Sequence, residues 1–240
     1  MSTKSKPTKK PPPASNAKSA PPAPPDWPLI SLPPRSPYQP LTLETLLSSQ
    51  ILTIPNFWTS KLCKTYVSFL KTLPLITTPG KPKKGHAVRV NDRFQIDDPV
   101  FAERLWTETG LRECISGSGD YEAEEGGMSQ DERRELWGGD VVGLNPNIRI
   151  YRYTKGQFFD CHYDESNMVT LPTTPVATPA RTTWTLLLYL TSPATGCIGG
   201  ETAFYLDDNN TSDENAVIVG LETGMLLLHK HGNDCLLVSF

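Results

Sequence analysis

The residues of this 240-residue chain best suited to chemistry lie in the stretch 145–167, NPNIRIYRYTKGQFFDCHYDESN. Alternating side chains over 147–153 predict a strand, and a second extended run ends in His162-Tyr163-Asp164. Residues i and i+2 of an extended chain point to the same face, so His162 and Asp164 can bind one ion while Tyr163 faces away. A second, distant imidazole would complete the two-histidine, one-carboxylate set that suits Fe(II) and leaves coordination positions open.

The elements that must position this pair divide into a helical part and a strand-rich part. Helical spacing of apolar residues after Thr59 or Ser60, and a capping Asp98-Pro99 pair, predict helical support over 41–115. A polar, acid-rich loop is expected over 116–140. Short apolar runs then predict a β-barrel or jelly roll, giving an α+β fold; they cover 147–153, 157–163, 182–191, 201–206, 215–219 and 224–229, with a Pro/Thr-rich surface loop at 171–181.

The first 37 residues differ in composition from the rest of the chain. Thirteen of the 23 prolines lie within residues 1–40, and the segment is rich in lysine and poor in large apolar side chains. Such a segment cannot bury enough surface to offset its ordering entropy, so residues 1–37 are predicted to form a disordered tail ahead of a domain spanning 41–240. The tail is interpreted as a solubilising leader, with docking of a partner or a nuclear signal as the alternative.

Charge and cysteine usage limit the classes of function. A net charge of −3 gives no general reason to bind nucleic acid, and no apolar run is long enough for a membrane span or a secretory signal. Five scattered cysteines, odd in number and without a CxxC pair, indicate a reduced intracellular protein, cytoplasmic or nuclear.

Several motifs in one order carry a family resemblance. They are NDRF at 91–94, NPNIRIYRY, GQFF and HYD in the middle, and HKHG followed by cysteine near the end. Over about 51–237 the chain resembles the 2-oxoglutarate- and Fe(II)-dependent dioxygenases of the prolyl 4-hydroxylase alpha-subunit type, closest to a fungal and plant branch. The resemblance implies a double-stranded β-helix that uses Fe(II), 2-oxoglutarate and ascorbate as reductant.

The resemblance also implies roles for individual residues. His162 and Asp164 become iron ligands, and Tyr153 and Tyr189 become contacts of 2-oxoglutarate, with ordinary core tyrosines as the alternative. No catalytic residue beyond the metal ligands is expected. Three residues correspond to the mouth of the substrate site or, alternatively, to a simple strand-edge turn: Asn91, Asp92 and Arg93.

The end of the chain departs from the family pattern. Relatives continue past the Cys-Leu-Leu stretch with the second iron-binding histidine, a basic anchor for 2-oxoglutarate and a final strand, whereas here Leu237 is followed by Val-Ser-Phe. The sequence-based expectation is a barrel truncated before its last strand and second histidine. His229 and His231 are weak substitutes, because in the family register neither points at the iron. The favoured interpretation makes them polar residues at a strand end.

Three functions follow from this pattern. The first is hydroxylation of a C–H bond in a protein or small molecule, prolyl hydroxylation being one activity of the family. The second is a truncated, catalytically impaired isoform that acts only as a metal- or partner-binding jelly-roll module. The third, a cupin-like binding module, is disfavoured by the joint presence of Tyr153, Tyr189 and the His-x-Asp motif. The substrate and any protein partner stay open.

Overall fold

The structure is a computed structural model that describes residues 22–33, 40–78, 87–117, 128–172, 176–205, 216–232 and the backbone of 236–239. It combines helices with antiparallel strands. The helices are α1 (Ser60–Leu70), α2 (Pro99–Thr107), α3 (Leu111–Ser116) and α4 (Gln130–Trp137).

The strands precede, separate and follow these helices. They are β1 (Glu44–Leu47), β2 (Ile51–Ile54), β3 (Ile76–Thr77), β4 (Arg89–Val90), β5 (Asp92–Asp97), β6 (Asn147–Arg152), β7 (Phe158–His162), β8 (Met168–Leu171), β9 (Thr178–Arg181), β10 (Trp184–Leu188), β11 (Thr202–Tyr205), β12 (Ala216–Val219), β13 (Leu226–Lys230) and β14 (Leu236–Ser239).

All strand pairs among the described residues are antiparallel, and they build four sheets. The strand orders are β1-β2-β13-β10, β12-β11-β14-β7-β4, β3-β5-β6 and β8-β9. These four sheets do not close into a barrel within the described part of the chain. The predicted mixture of helices and antiparallel strands is therefore confirmed, whereas the closed barrel of the prediction is not seen.

The two predicted helix starts are confirmed. The Thr59 side chain accepts the Leu62 N–H at 3.2 Å and caps α1. The Asp98 carboxylate accepts the Phe101 N–H at 3.0 Å, and a proline follows in the first turn of α2. These side chains satisfy N–H groups that the first turn of a helix leaves without intrahelical partners.

Three segments differ from the sequence prediction. The range 41–54 was predicted to be part of the helical support, but residues 44–54 form the β1–β2 hairpin, and β2 pairs with β13 in the interior of its sheet. The predicted acidic loop 116–140 contains α4, which a Ser129–Glu132 capping box starts; residues 118–127 lie outside the described residues. The predicted surface loop 171–181 supplies β9, which pairs with β8.

The predicted tail is packed in part. Trp27 is buried in the main core, stacks on Phe101 with ring centroids 4.3 Å apart, and donates its indole N–H to Asp98 at 2.7 Å. The boundary at residue 37 is therefore wrong for residues 22–33, because a tryptophan with a buried hydrogen-bond partner anchors them. The disorder predicted for residues 1–21 lies outside the described residues.

Strand β13 is buried on both faces and carries His229 into the interior. Leu226 and Leu228 pack into the core formed with the helices, whereas Leu227 faces the second cluster with Phe204 of β11. His229 follows Leu227 by two residues and so points into the space between the two larger sheets. No helix among the described residues is long and apolar enough to cross a membrane.

Candidate functional site

His162 and Asp164 lie at the end of β7 with their side chains facing each other. His162 Nε2 is 3.6 Å from Asp164 Oδ1, so the pair lies on one side of the chain as its spacing predicts. His162 Nδ1 is 2.8 Å from the Asp160 carbonyl oxygen, which can only accept a hydrogen bond. In the neutral ring Nδ1 therefore carries the proton, and Nε2 presents its lone pair toward the carboxylate.

His229 approaches the same carboxylate from β13. Its Nε2 is 3.5 Å from Asp164 Oδ2, and the side chain is only 1% exposed. Neither ring nitrogen of His229 has a hydrogen-bond partner among the described residues. His229 lies near the end of β13, as expected, but the expectation that it would point away from the His162–Asp164 pair is wrong, because the strand carries its side chain between two sheets toward Asp164.

His231 reaches Asp164 through Thr185 of β10. The Thr185 hydroxyl donates to Asp164 Oδ2 at 2.7 Å and lies 2.9 Å from His231 Nε2. Because the hydroxyl proton is already given to the carboxylate, His231 Nε2 must donate its own proton to the Thr185 oxygen. His231 is thus engaged in orienting Asp164, whereas no described residue forms a hydrogen bond with either nitrogen of His229.

The environment sets the charge state of this cluster. Burial acts to raise the pKa of Asp164, but a hydrogen bond from His162 in its imidazolium form, the form present at the low pH where Asp164 titrates, and one from the Thr185 hydroxyl outweigh burial and hold that pKa well below its usual range. Burial lowers the pKa of His229 to about 4, although the nearby carboxylate acts to raise it. Near pH 7 the cluster therefore holds an ionised carboxylate and a neutral buried imidazole, the forms that bind a divalent metal.

A cavity of about 2280 Å³ adjoins the cluster, and His162, Asp164 and both predicted cofactor tyrosines line it. The Tyr189 hydroxyl lies 2.6 Å from the Thr202 hydroxyl, and burial raises the Tyr189 pKa to about 12. Tyr189 is therefore a neutral phenol with one partner already in place. The structure brings Tyr153 and Tyr189 to the cavity that contains the His-Asp pair, and their contact with a cofactor stays a prediction.

The three predicted mouth residues are not brought to the wall of this cavity. Asn91 is fully buried, and its backbone N–H donates to the Thr78 hydroxyl at 3.0 Å. Asp92 accepts from Thr77 at 2.6 Å and pairs with Arg152 at 2.7 Å. Two of the three thus tie β5 to its neighbours, and Arg93 points to the other face of that strand.

Two features decide whether a metal fits these residues. Two ligands of one ion, each about 2.1 Å from it, lie about 3.0–3.4 Å apart, and the two imidazole–carboxylate distances of 3.6 and 3.5 Å come close to that. His229 supplies a buried nitrogen that could bind a metal, since neither of its ring nitrogens has a hydrogen-bond partner among the described residues. No group of three or more His, Cys, Asp or Glu side chains that could hold a metal ion is present in the described ranges, so a metal would have to draw these side chains together.

Comparisons with known proteins find a structural likeness but no match in sequence. No protein-family model matches the sequence, and no curated protein matches it. Among solved structures, the chain is similar to a Pseudomonas putida prolyl-4-hydroxylase, with a TM-score of 0.46 and 13% identity over 80% of this chain and 86% of that chain. A likeness of that strength assigns neither fold nor function, so the proposal below depends on the residues of the site.

Proposed function

We propose that this chain is an Fe(II)- and 2-oxoglutarate-dependent oxygenase that hydroxylates a C–H bond of a protein or small molecule. In this proposal the iron is held by His162, Asp164 and His229. The observation that supports it most directly is the buried, neutral His229, which faces the carboxylate that His162 also faces and whose two nitrogens have no hydrogen-bond partner among the described residues. Burying an imidazole without a hydrogen bond costs folding free energy. That cost favours the interpretation that His229 binds a ligand such as a metal ion.

The protein's own groups prepare the site for such a metal. The carbonyl of Asp160 fixes the His162 tautomer so that Nε2 is available. Thr185 fixes the rotation of the Asp164 carboxylate, and His231 in turn orients Thr185. Hydrogen bonds of this kind outside the ligand set typically hold ligands in their binding geometry.

The cavity beside the pair offers room for the oxo-acid and the substrate. When bound, iron and 2-oxoglutarate supply the oxidation chemistry, with ascorbate as reductant, and succinate and carbon dioxide are released. Tyr153 and Tyr189 line the cavity and carry hydroxyl groups that can hydrogen-bond a carboxylate. Both are therefore proposed to position the oxo-acid.

The decisive test is succinate release from 2-oxoglutarate by the 240-residue chain with Fe(II) and ascorbate, measured without any added substrate. We expect turnover in the wild type and less than a hundredth of it in Asp164→Asn and His229→Gln. His231→Gln serves as the matched control, since it removes a positioning residue and is expected to retain part of the activity. The proposal fails if the wild type shows no turnover, or if His229→Gln matches the wild type.

A further inference from the structure

A column of arginines and aromatic rings runs up to the candidate ligand His162. The Phe159 ring stacks on the His162 imidazole with centroids 3.5 Å apart, and the Arg89 guanidinium lies 3.8 Å from the centre of the Phe159 ring. Arg89 also lies 5.5 Å from the centre of the Tyr151 ring, and Arg93 lies 5.7 Å from the same ring. Guanidinium groups at such distances are attracted by the aromatic quadrupole, so the rings hold the cations in place.

Strand pairing brings these residues together from distant parts of the sequence. Arg89 of β4 lies opposite Phe159 of β7, and Arg93 of β5 lies opposite Tyr151 of β6. Arg149 precedes Tyr151 by two residues and therefore shares its face. Arg89, Arg149, Tyr151 and Phe159 all line the cavity that contains His162 and Asp164. One wall of the site thus carries several guanidinium groups.

These arginines have no acidic partner among the described residues. No ion pair joins Arg89, Arg93 or Arg149 to a carboxylate in the part of the chain that the structure describes, whereas Arg152, on the opposite face of β6, pairs with Asp92 at 2.7 Å. Burial lowers the pKa of Arg93, and the nearby Arg89 and Arg149 act in the same direction, whereas Tyr151 acts to raise it. The chain as a whole carries a net charge of −3, so this positive wall is a local feature.

We propose that Arg89 and Arg149 bind the acidic side chains of a peptide segment of a protein substrate and deliver that segment to the adjoining site. This inference rests on the proposed oxygenase function, whose substrate it specifies. Guanidinium forks match carboxylates in geometry as well as charge, and two of them on different strands, β4 and β6, suit an extended ligand with more than one carboxylate.

Two observations favour an acidic peptide over other anions. The cavity is larger than the 300–1,000 Å³ typical of small-molecule sites, which suits a polypeptide segment. A single-stranded nucleic acid would need open aromatic faces for its bases. Here the Phe159 ring is already covered by Arg89 and His162, and the Tyr151 ring is contacted by two arginines.

The test measures binding by fluorescence anisotropy with fluorescein-labelled 12-residue peptides of Gly and Pro that carry either four Glu or four Gln. We expect the Glu peptide to bind at least tenfold more tightly than the Gln peptide at 50 mM salt and to weaken as salt rises. Arg89→Gln and Arg149→Gln should each weaken binding of the Glu peptide about tenfold. Because the Arg149 side chain is exposed, Arg149→Gln keeps the test valid if Arg89→Gln fails to fold.

Arg112→Gln is the matched control. This substitution removes the same positive charge, but Arg112 pairs with Glu113 on α3 and does not line the cavity. The inference is overturned if Arg112→Gln weakens binding as much as Arg149→Gln does, if the Glu and Gln peptides bind equally, or if a 12-residue oligo(dT) binds more tightly than the Glu peptide.

The peptide experiment and the test of the proposed function are read separately. Peptide anisotropy is measured without metal, and succinate release is measured without peptide. Succinate release without preference for the Glu peptide refutes the substrate class alone. Preference for the Glu peptide without succinate release refutes the oxygenase function, and the wall of arginines then marks a binding surface for acidic peptides.

Discussion

Replacement of His229 by leucine should stabilise the metal-free protein and remove its response to metal. The wild-type side chain is 1% exposed, its imidazole is neutral near pH 7, and neither ring nitrogen has a hydrogen-bond partner in the described part of the chain. Leaving a buried polar group without a hydrogen bond costs about 1–3 kcal/mol. Leucine has a similar size and no polar atom to leave unpaired beside the Phe204 ring, whose centroid lies 5.3 Å from that of His229. His229→Leu should therefore raise the free energy of unfolding by about 2 kcal/mol.

A change of this size can be measured as a shift of the thermal unfolding temperature. For a domain of this length, 1 kcal/mol corresponds to about 2–4 °C, so His229→Leu should unfold about 4–8 °C above the wild type without metal. Mn(II), a redox-stable substitute for Fe(II), should stabilise the wild type by about 2.7 kcal/mol at a hundred times its dissociation constant. The variant should show no such gain, and the order of stability should reverse or become level with metal present.

Scanning calorimetry of both proteins with EDTA and with Mn(II) checks this reasoning. His231→Asn is the control, because His231 already uses its Nε2 on Thr185. It should lower stability without metal and keep most of the gain with Mn(II). The reasoning is refuted if His229→Leu destabilises the metal-free protein by more than 1 kcal/mol, or if it still gains stability from Mn(II).

Three further outcomes are expected. Thr185→Val, which removes the hydroxyl bonded to the site carboxylate, should weaken Mn(II) binding at least tenfold by calorimetric titration. Gly224→Ala should cost more than 3 kcal/mol in urea unfolding, since a Cβ there would lie 2.0 Å from the Trp58 carbonyl oxygen; Gly156→Ala, with similar positive φ but open space, should cost about 1–2 kcal/mol. Burial raises the pKa of the Cys63 thiol from 9.0 to about 11, so the unfolded thiol ionises first and stability should fall between those pH values. Between pH 8 and 10.5 the free energy of unfolding of Cys63→Ala should fall by about 2 kcal/mol less than that of the wild type.

The parts of the fold predicted from sequence are those with local causes. The caps at Thr59 and Asp98 act within one helical turn, so their residue types were sufficient to predict α1 and α2. The His162–Asp164 pair likewise depends only on the two-residue period of an extended chain. Trp27 could not be placed, because its burial depends on Asp98 and Phe101 far along the sequence.

The rest of the candidate site depends on pairing between distant strands. His229 ends the run Leu-Leu-Leu-His, and a strand buried on both faces shows no alternation from which its inward face could be read. Thr185 lies in a similar apolar run, and only its pairing with His229 across β10 and β13 brings it to Asp164. Arg89 and Phe159 are brought together in the same way by β4 and β7. The sequence does carry one signal for Thr185, namely a polar residue inside a strongly apolar predicted strand.

The meeting of β7, β10 and β13 at one carboxylate has a consequence for how the site comes into existence during folding. Its three strands belong to two different sheets, and β13 lies far from β7 in sequence. Contacts between strands so far apart in sequence form slowly, because the long loops between them must close first. The three side chains therefore converge only after both sheets have formed. The unfolded chain then holds no preassembled metal site, and the rate at which metal binding appears during refolding should report the last step of assembly.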